Sequence, residues 1–268
     1  MEIIIFLTAG IFAGLLSGLF GLGGGVIVVP ALVFSFDLMH HFPENVMHVA
    51  EGTSLAVMMV TTASSSFSHY RRGNILFSLV FRLMIGVVIG VLLGAFVSHF
   101  LTSFVLRLVF ASFLVLVAFR MFYTSYLISG KFLNRAPIMP SLLSSSLFSI
   151  IIGFFSGLLG TGAGSTTVPY LSQYHFKMKN IAATAASCSF PISIIGTITY
   201  LLLGLDKVQA PFVVGYIDWA AFLFVAIASL ICAPIGARIS SHVSSLLLKR
   251  IFTIILFLLA IDMFFSAF

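Results

Sequence analysis

Long apolar segments separated by short polar stretches are the feature that most constrains the fold of this 268-residue chain. A helix needs about 20 apolar residues to cross the ~30 Å hydrocarbon core of a membrane. Only 7% of the residues are charged, against roughly a quarter in soluble domains. The sequence therefore predicts an all-α polytopic membrane protein and excludes a soluble enzyme. About eight segments fit, at roughly residues 3–36, 49–69, 75–98, 103–125, 142–175, 181–203, 212–237 and 247–267.

The basic balance of the chain, with a formal net charge of +6, fits topology signals beside apolar segments. We therefore expect a lipid bilayer around the protein and no nucleic-acid partner. Cys188 and Cys232 lie in apolar stretches without the spacing of metal ligands or of a disulfide framework. No metal or cofactor is expected. No intramembrane His-Glu-x-x-His, Ser-Lys or paired-aspartate arrangement occurs, so we expect no enzymatic activity.

The first and fifth segments are too long to be single spans. Roughly 34 helical residues extend about 51 Å at 1.5 Å per residue. Each contains a glycine-rich stretch, Gly-Leu-Gly-Gly-Gly at residues 21–25 and Gly-Thr-Gly-Ala-Gly at residues 160–164. Because glycine weakens a helix, each segment is predicted to form two helical pieces.

These two breaks belong to an internal duplication. Residues 14–21 align with residues 153–160 at an offset of 139, and Pro30 aligns with Pro169 at the same offset. Repeated segments of this kind are typical of transporters. We predict a first transmembrane repeat over residues 1–125, a connecting loop over 126–141 and a second repeat over 142–268.

The relative orientation of the repeats stays open at this level. Four simple crossings per half give parallel repeats, whereas a broken segment that folds back as a re-entrant hairpin gives inverted ones. With eight simple crossings, twelve of the basic residues divide six to six between the two sides, which leaves no positive-inside signal.

The glycine breaks are the best candidates for a transport site. Unwound segments at corresponding positions in two repeats expose backbone amides and helix ends inside the membrane. Helices beginning near Gly24 and Ala163 would direct N–H groups and positive dipole ends at an oxyanion. The alternative role of the small residues is close helix packing, which we assign to Gly14 and Gly18. The candidate binding residues of the breaks are Gly23, Gly24, Gly25, Gly162, Ala163 and Gly164.

Hydroxyl-rich patches open the second segment of each half. Their candidate ligands are Thr53 and Ser54 in the first half and Ser187 and Ser189 in the second. In hydrocarbon such hydroxyls need partners, which are either an oxyanion or carbonyls of their own helix. Further along, Thr61, Thr62 and residues 64–66 are second-tier candidates for a polar inner face.

Three further polar residues lie in or beside the apolar segments. Glu51 is either a proton-coupling carboxylate or an interfacial residue in a first helical turn, with the interfacial role slightly favoured. Arg82 either attracts an anion or compensates a carboxylate, or it snorkels toward the membrane surface. His69 is expected at the interface.

The duplicated motif resembles that of the TauE/SafE sulfite-exporter-like family of bacterial membrane permeases. The pattern is Ser-Gly-x-x-Gly-x-Gly-Gly-Gly followed by Val-Val-Pro over residues 17–30. The second half repeats it from Ser156 to Gly164 and ends in Val168 and Pro169. Ala-Glu-Gly-Thr-Ser at residues 50–54 is similar to the Thr-Ser patch that opens the next helix in this family.

The resemblance implies a secondary transporter, commonly an exporter, for small anions such as sulfite or sulfonates across the bacterial inner membrane. The site is expected between the repeats, with alternating access. An anion channel or a permease for short carboxylates is the alternative. A homo-oligomer is compatible with the sequence.

Overall fold

The computed structural model describes residues 2–21, 23–42, 44–123, 138–240 and 242–265. This part of the chain forms ten α-helices and one β-hairpin. Lys131, Arg135 and most of the expected connecting loop lie outside it. The helices are α1 Glu2–Phe20, α2 Gly25–Leu38, α3 Val46–Arg71, α4 Phe77–Phe100, α5 Ser103–Phe122, α6 Leu142–Leu159, α7 Gly164–Ser172, α8 Met178–Leu203, α9 Trp219–Ser240 and α10 Ser245–Phe265, and the hairpin strands are β1 Val213–Val214 and β2 Ile217–Asp218.

Seven of these helices are long and apolar enough to cross a membrane: α1, α3, α4, α5, α6, α8 and α9. α10 has 21 residues but carries Lys249, Arg250 and Asp262. Large apolar side chains are exposed on the outer surface, such as Phe81 at 72% and Ile85 at 75%. Lipid is the solvent for such a surface, so the chain is an integral membrane protein. The hairpin between α8 and α9 is the departure from the predicted all-α structure.

The two long segments each form two helices, as predicted, and the second piece folds back on the first. At the start of α6, the Phe148 ring stacks on the Tyr170 ring of α7 at 4.0 Å, and the Ile138 amide donates to the Tyr174 carbonyl at 3.1 Å. Phe6 near the start of α1 and Phe36 near the end of α2 line the same cavity. Each broken segment is therefore a helical hairpin, which is the second of the two alternatives that the sequence left open.

Two pairs of outer helices run parallel to each other at close range. In the α1–α9 pair, a Cβ added at Gly14 would meet the Ser229 Cα atom at 2.8 Å, and one at Gly18 would overlap the Ala233 carbonyl oxygen. In the α4–α6 pair, Gly90 lies against Gly153 in the same way. The packing role predicted for Gly14 and Gly18 is thus confirmed.

The centre of the molecule is the crossing of α3 and α8, each 26 residues long. They run antiparallel, because Glu51 near the start of α3 contacts Tyr200 near the end of α8. At this end the β-hairpin covers both helices. Gly52 packs against the Tyr216 carbonyl, and the Tyr216 ring stacks on His48 at 5.0 Å.

Candidate functional site

The first glycine break connects α1 to α2 with a backbone that favours glycine. Gly21, Gly23 and Gly24 have φ angles of 68°, 76° and 90°, where a Cβ atom costs roughly 1–2 kcal/mol. The Gly23 carbonyl accepts a hydrogen bond of 2.7 Å from the Thr61 hydroxyl in the middle of α3. The break is thus held against α3.

The second break connects α6 to α7 and has the same type of backbone, with φ angles of 62° at Gly160 and 75° at Gly162. The Ser54 hydroxyl of α3 donates to the Gly160 carbonyl at 2.9 Å. The Ala163 amide donates to the Ser189 hydroxyl of α8 at 2.9 Å. Both central helices therefore hold this break.

The two breaks are in direct contact with each other. A Cβ added at Gly25 would overlap the Gly160 carbonyl oxygen and would lie 2.9 Å from the Thr161 Cα atom and from the Met58 sulfur. Gly25 of the first copy of the duplicated motif and Gly160 of the second copy thus meet beside Met58, in the middle of α3.

The helices that leave the breaks begin without a side-chain cap. The residue before α2 is Gly24 and the residue before α7 is Ala163, and neither makes a side-chain capping hydrogen bond. First-turn amides have no acceptor within their own helix. Gly25 and Gly164 are buried. These helix ends therefore direct partial positive charge into the protein interior.

The four hydroxyl candidates divide into two groups. Ser54 and Ser189 contact the second break, as described above. The Thr53 hydroxyl instead accepts from the Asp218 amide of the β-hairpin at 2.9 Å. Ser187 is half-buried and donates to the Ala183 carbonyl of its own helix at 2.9 Å. Of the second-tier candidates, Thr61 makes the contact to the first break.

Glu51 lies in the protein interior and does not face the surface. Its side chain is fully buried in the second turn of α3. One carboxyl oxygen, Oε2, accepts from the Tyr200 hydroxyl at 2.9 Å and from the Ser98 hydroxyl at 3.0 Å. The other, Oε1, is buried and has no hydrogen-bond partner among the described residues.

Arg82 and His69 have structural partners away from the contact between the breaks. Arg82 is half-buried and donates to the Pro140 carbonyl at 3.3 Å, in keeping with snorkelling toward the surface. His69 is buried, and its Nε2 donates to the Gly18 carbonyl at 3.1 Å. Its ring therefore satisfies a carbonyl near the end of α1 from the last turn of α3.

The sequence offered no sign of Tyr200, Ser98 or Tyr216 as neighbours of Glu51. Tyr200 is 149 positions from Glu51, and all three types are ordinary in apolar segments. The Tyr216 hydroxyl lies 3.5 Å from His99 Nδ1, and burial raises the pKa of this tyrosine. The sequence signal for this cluster was an ionisable residue in an apolar segment, and it indicated Glu51 without its neighbours.

A cavity of about 710 Å³ opens between the α2–α3 loop and the segment that follows α8. Its polar lining includes His40, His41 and Lys207, together with Asp218, whose amide is bound by Thr53. Thr53 therefore contacts a residue that lines this cavity.

Known proteins resemble this chain over nearly its whole length. A protein of Haemophilus influenzae, described as a probable membrane transporter protein, is 30% identical over 263 residues, covering 98% of each chain. A protein of Methanocaldococcus jannaschii with the same description is 28% identical over 241 residues, covering 90% of this chain and 87% of its own. One of Bacillus subtilis is 25% identical over 276 residues, covering 97% of this chain and 96% of its own.

The model of the family described as sulfite exporter TauE/SafE matches residues 6–263. This range includes both glycine breaks and both central helices. Its match and the transporter relatives agree with the duplicated motif, so the chain is a membrane transporter protein of the TauE/SafE sulfite exporter family.

Proposed function

We propose that this protein is a secondary transporter, and an exporter, of small organic or inorganic anions such as sulfite or sulfonates across a bacterial inner membrane. The observation that carries the proposal is the contact between the two glycine breaks at Gly25 and Gly160. Broken helices of two halves that meet inside the membrane are the usual place for a transport site.

The positive potential for an anion comes from backbone groups in this proposal. The uncapped N-terminal ends of α2 and α7 supply amides and the positive ends of helix dipoles. Glycine allows an oxyanion to approach those amides. Of the hydroxyls, Ser54 and Ser189 stand at the second break. Arg82 is bound to the Pro140 carbonyl and is left out of the site.

Two inverted repeats are the architecture that we propose around this site. The packing of the helices supports it, because α1 of the first half packs on α9 of the second, while α6 of the second packs on α4 of the first. The fold-back of α2 and α7 gives each half five helices, and an odd number of passes inverts the second half relative to the first.

Alternating access follows from the tightness of the contact. Even a methyl group at Gly25 would overlap the Gly160 carbonyl, so an oxyanion reaches this point only when the breaks separate. A channel needs a continuous path, and this contact favours a transporter over a channel. Short carboxylates share the charge and size of the proposed substrates and are the alternative class.

Counterflow in proteoliposomes tests the proposal. Vesicles loaded with unlabelled sulfite, methanesulfonate, acetate or chloride are diluted into the same labelled anion. We expect saturable uptake, accelerated by anion inside the vesicle, for sulfite or methanesulfonate. Uptake that rises linearly with concentration would indicate a channel, and counterflow with acetate alone would indicate the carboxylate permease. Protein-free vesicles are the control.

A further inference from the structure

We propose that Glu51 is a proton-binding site which couples protonation to the second glycine break through the hydroxyl of Tyr200. This inference rests on the proposed transport function for its biological meaning, and it names the coupling ion of that transport. It is carried by the hydrogen bonds that join Glu51, Ser98 and Tyr200 to one another and to the last turn of α6.

The first observation is the surroundings of the carboxyl group. Ser98 of α4 and Tyr200 of α8 donate to Oε2, and both are buried neutral groups. His48 lies one turn earlier on α3, and its Nε2 donates to the Ser98 carbonyl at 3.0 Å. Tyr216 of the hairpin stacks on His48, and its hydroxyl lies 3.5 Å from Nδ1 of His99 on α4.

No Lys or Arg makes an ion pair with Glu51 in the part of the chain that the structure describes. An uncompensated carboxylate at such depth is costly. A protonated carboxyl group avoids that cost and gains a hydrogen to donate. A buried acid without a cation, with one oxygen unpartnered among the described residues, is therefore suited to take up and release a proton.

The second observation is a competition for one hydrogen atom. The Tyr200 hydroxyl lies within hydrogen-bond distance of three oxygen atoms: Glu51 Oε2 at 2.9 Å, the Gly157 carbonyl at 3.0 Å and the Leu158 carbonyl at 3.3 Å. A hydroxyl has one hydrogen to donate. It therefore bonds with full strength to one of them at a time.

The protonation of Glu51 decides this competition. When Glu51 is ionised, Tyr200 donates to the carboxylate, because a charged acceptor makes the stronger bond. When Glu51 is protonated, the carboxyl group donates to the Tyr200 oxygen, and Tyr200 donates to the Gly157 carbonyl. The proton comes from water and remains on Glu51, and no covalent bond other than O–H changes.

The carbonyls of Gly157 and Leu158 belong to the last turn of α6, where no later amide of the helix can satisfy them. Gly160 is the residue that follows α6, and it contacts Gly25 of the other break. Protonation of Glu51 thus adds a hydrogen bond at the end of α6, and deprotonation removes it. This helix end leads into the contact between the breaks.

A substrate-free measurement tests the proton site itself. Infrared difference spectra of the purified protein, recorded between acidic and alkaline pH, are expected to contain the carbonyl band of a buried protonated carboxyl group. The band should be lost in Glu51→Gln and retained in Asp262→Asn, which removes an exposed carboxyl group of α10. A band that persists in Glu51→Gln would overturn the proposal.

Transport measurements test the coupling. With methanesulfonate, which does not titrate near neutral pH, the exchange rate of the unmodified protein should change roughly tenfold across the titration of one group, a usual size for coupling between two sites. We expect this pH dependence to be absent in Glu51→Gln and in Tyr200→Phe, and unchanged in Asp262→Asn. Exchange by Glu51→Gln with the original pH dependence would contradict the coupling.

The two tests separate this inference from the proposed function. An infrared band assigned to Glu51 together with no exchange of any anion would refute anion transport and leave the proton site standing. Exchange of an anion with no band from Glu51 would refute the proton site and leave anion transport standing. Tyr200→Phe keeps the carboxyl group, so it should keep the band and lose only the pH dependence of exchange.

Discussion

Hydroxyl and imidazole groups of α3 perform one task at the residue scale, which is to donate hydrogen bonds to carbonyls in and just before the first glycine break. Thr61 donates to the Gly23 carbonyl and His69 to the Gly18 carbonyl. Ser65 adds a second hydrogen bond to the Ser17 carbonyl, which also accepts from the Gly21 amide. Buried carbonyls without partners are costly in hydrocarbon. These side chains therefore stabilise an interrupted helix inside the membrane.

Replacement of Thr61 tests this task. Thr61→Val preserves the shape of the side chain but leaves the Gly23 carbonyl without its donor at 2.7 Å. We expect the free energy of unfolding to fall by about 1–3 kcal/mol, the cost of one unsatisfied buried group, as a lower thermal midpoint in detergent. Thr61→Ser keeps the hydroxyl and should retain most of the stability. Equal midpoints for the Val and Ser variants would contradict this role.

Residue chemistry explains how far the sequence could predict the site. The breaks were predictable, because glycine content and excessive helix length are local signals. Thr53 and Ser54 were not distinguishable, since neighbours on a helix differ by about 100° in direction, and one bonds the hairpin while the other bonds the second break. The partnership of Glu51 and Tyr200 has no local signal at all.

Close pairs of parallel helices are the main feature at the element scale. Gly18 of α1 contacts the backbone at Ala233, Gly236 and Ala237 of α9. Small residues at such contacts let backbones approach and gain dispersion energy. The fold-back of α2 and α7 was not predictable from helix length alone, because a glycine break permits either a kink or a reversal.

A bulky residue at Gly18 should separate α1 from α9. We expect Gly18→Leu to cost more than the roughly 1–3 kcal/mol of ordinary overpacking, because the obstacle is backbone, and to lose the monodisperse peak in size-exclusion chromatography. Gly73→Ala is the control without a steric obstacle, since nothing lies within 4 Å of its added Cβ atom, and its φ angle of 64° costs only roughly 1–2 kcal/mol. A Gly18→Leu variant as well folded as Gly73→Ala would refute the packing role.

The whole molecule has two unlike ends. At the hairpin end, where α3 and α5 begin, Ser103 donates to the Glu44 carbonyl. At the basic end, where α3 ends and α8 begins, Asn180 donates to the Asn74 carbonyl. Arg107 and Lys207 lie at the hairpin end. Among the residues that the structure describes, nine basic ones lie at the basic end: Arg71, Arg72, Arg82, Arg120, Lys177, Lys179, Arg238, Lys249 and Arg250.

This distribution restores the positive-inside signal that eight simple crossings had removed. Because α2 and α7 fold back, basic residues that eight simple crossings would place on opposite sides of the membrane lie on the same side. At the basic end, burial and the nearby Arg238 lower the pKa of Arg72. An excess of Lys and Arg marks the cytoplasmic side, so we expect the basic end in the cytoplasm.

Cysteine labelling of intact cells tests this orientation. In a background with Cys188 and Cys232 replaced by Ala, Gln209→Cys should react with a membrane-impermeant maleimide from outside. Gly73→Cys should react only after permeabilisation. Both positions are exposed, so accessibility is matched. Labelling of both from the same side would refute the topology, and the reverse pattern would refute the orientation.

The central claim is that an anion passes where the two breaks meet, and transient currents of reconstituted protein after sulfite and methanesulfonate jumps test it most directly. We predict a saturable response that disappears in Gly25→Ala, whose added methyl group overlaps the Gly160 carbonyl, and persists in Gly73→Ala. If neither sulfite nor methanesulfonate gives a current with the unmodified protein, counterflow of labelled anion compares the same variants for electroneutral exchange. Full transport by folded Gly25→Ala would contradict the claim.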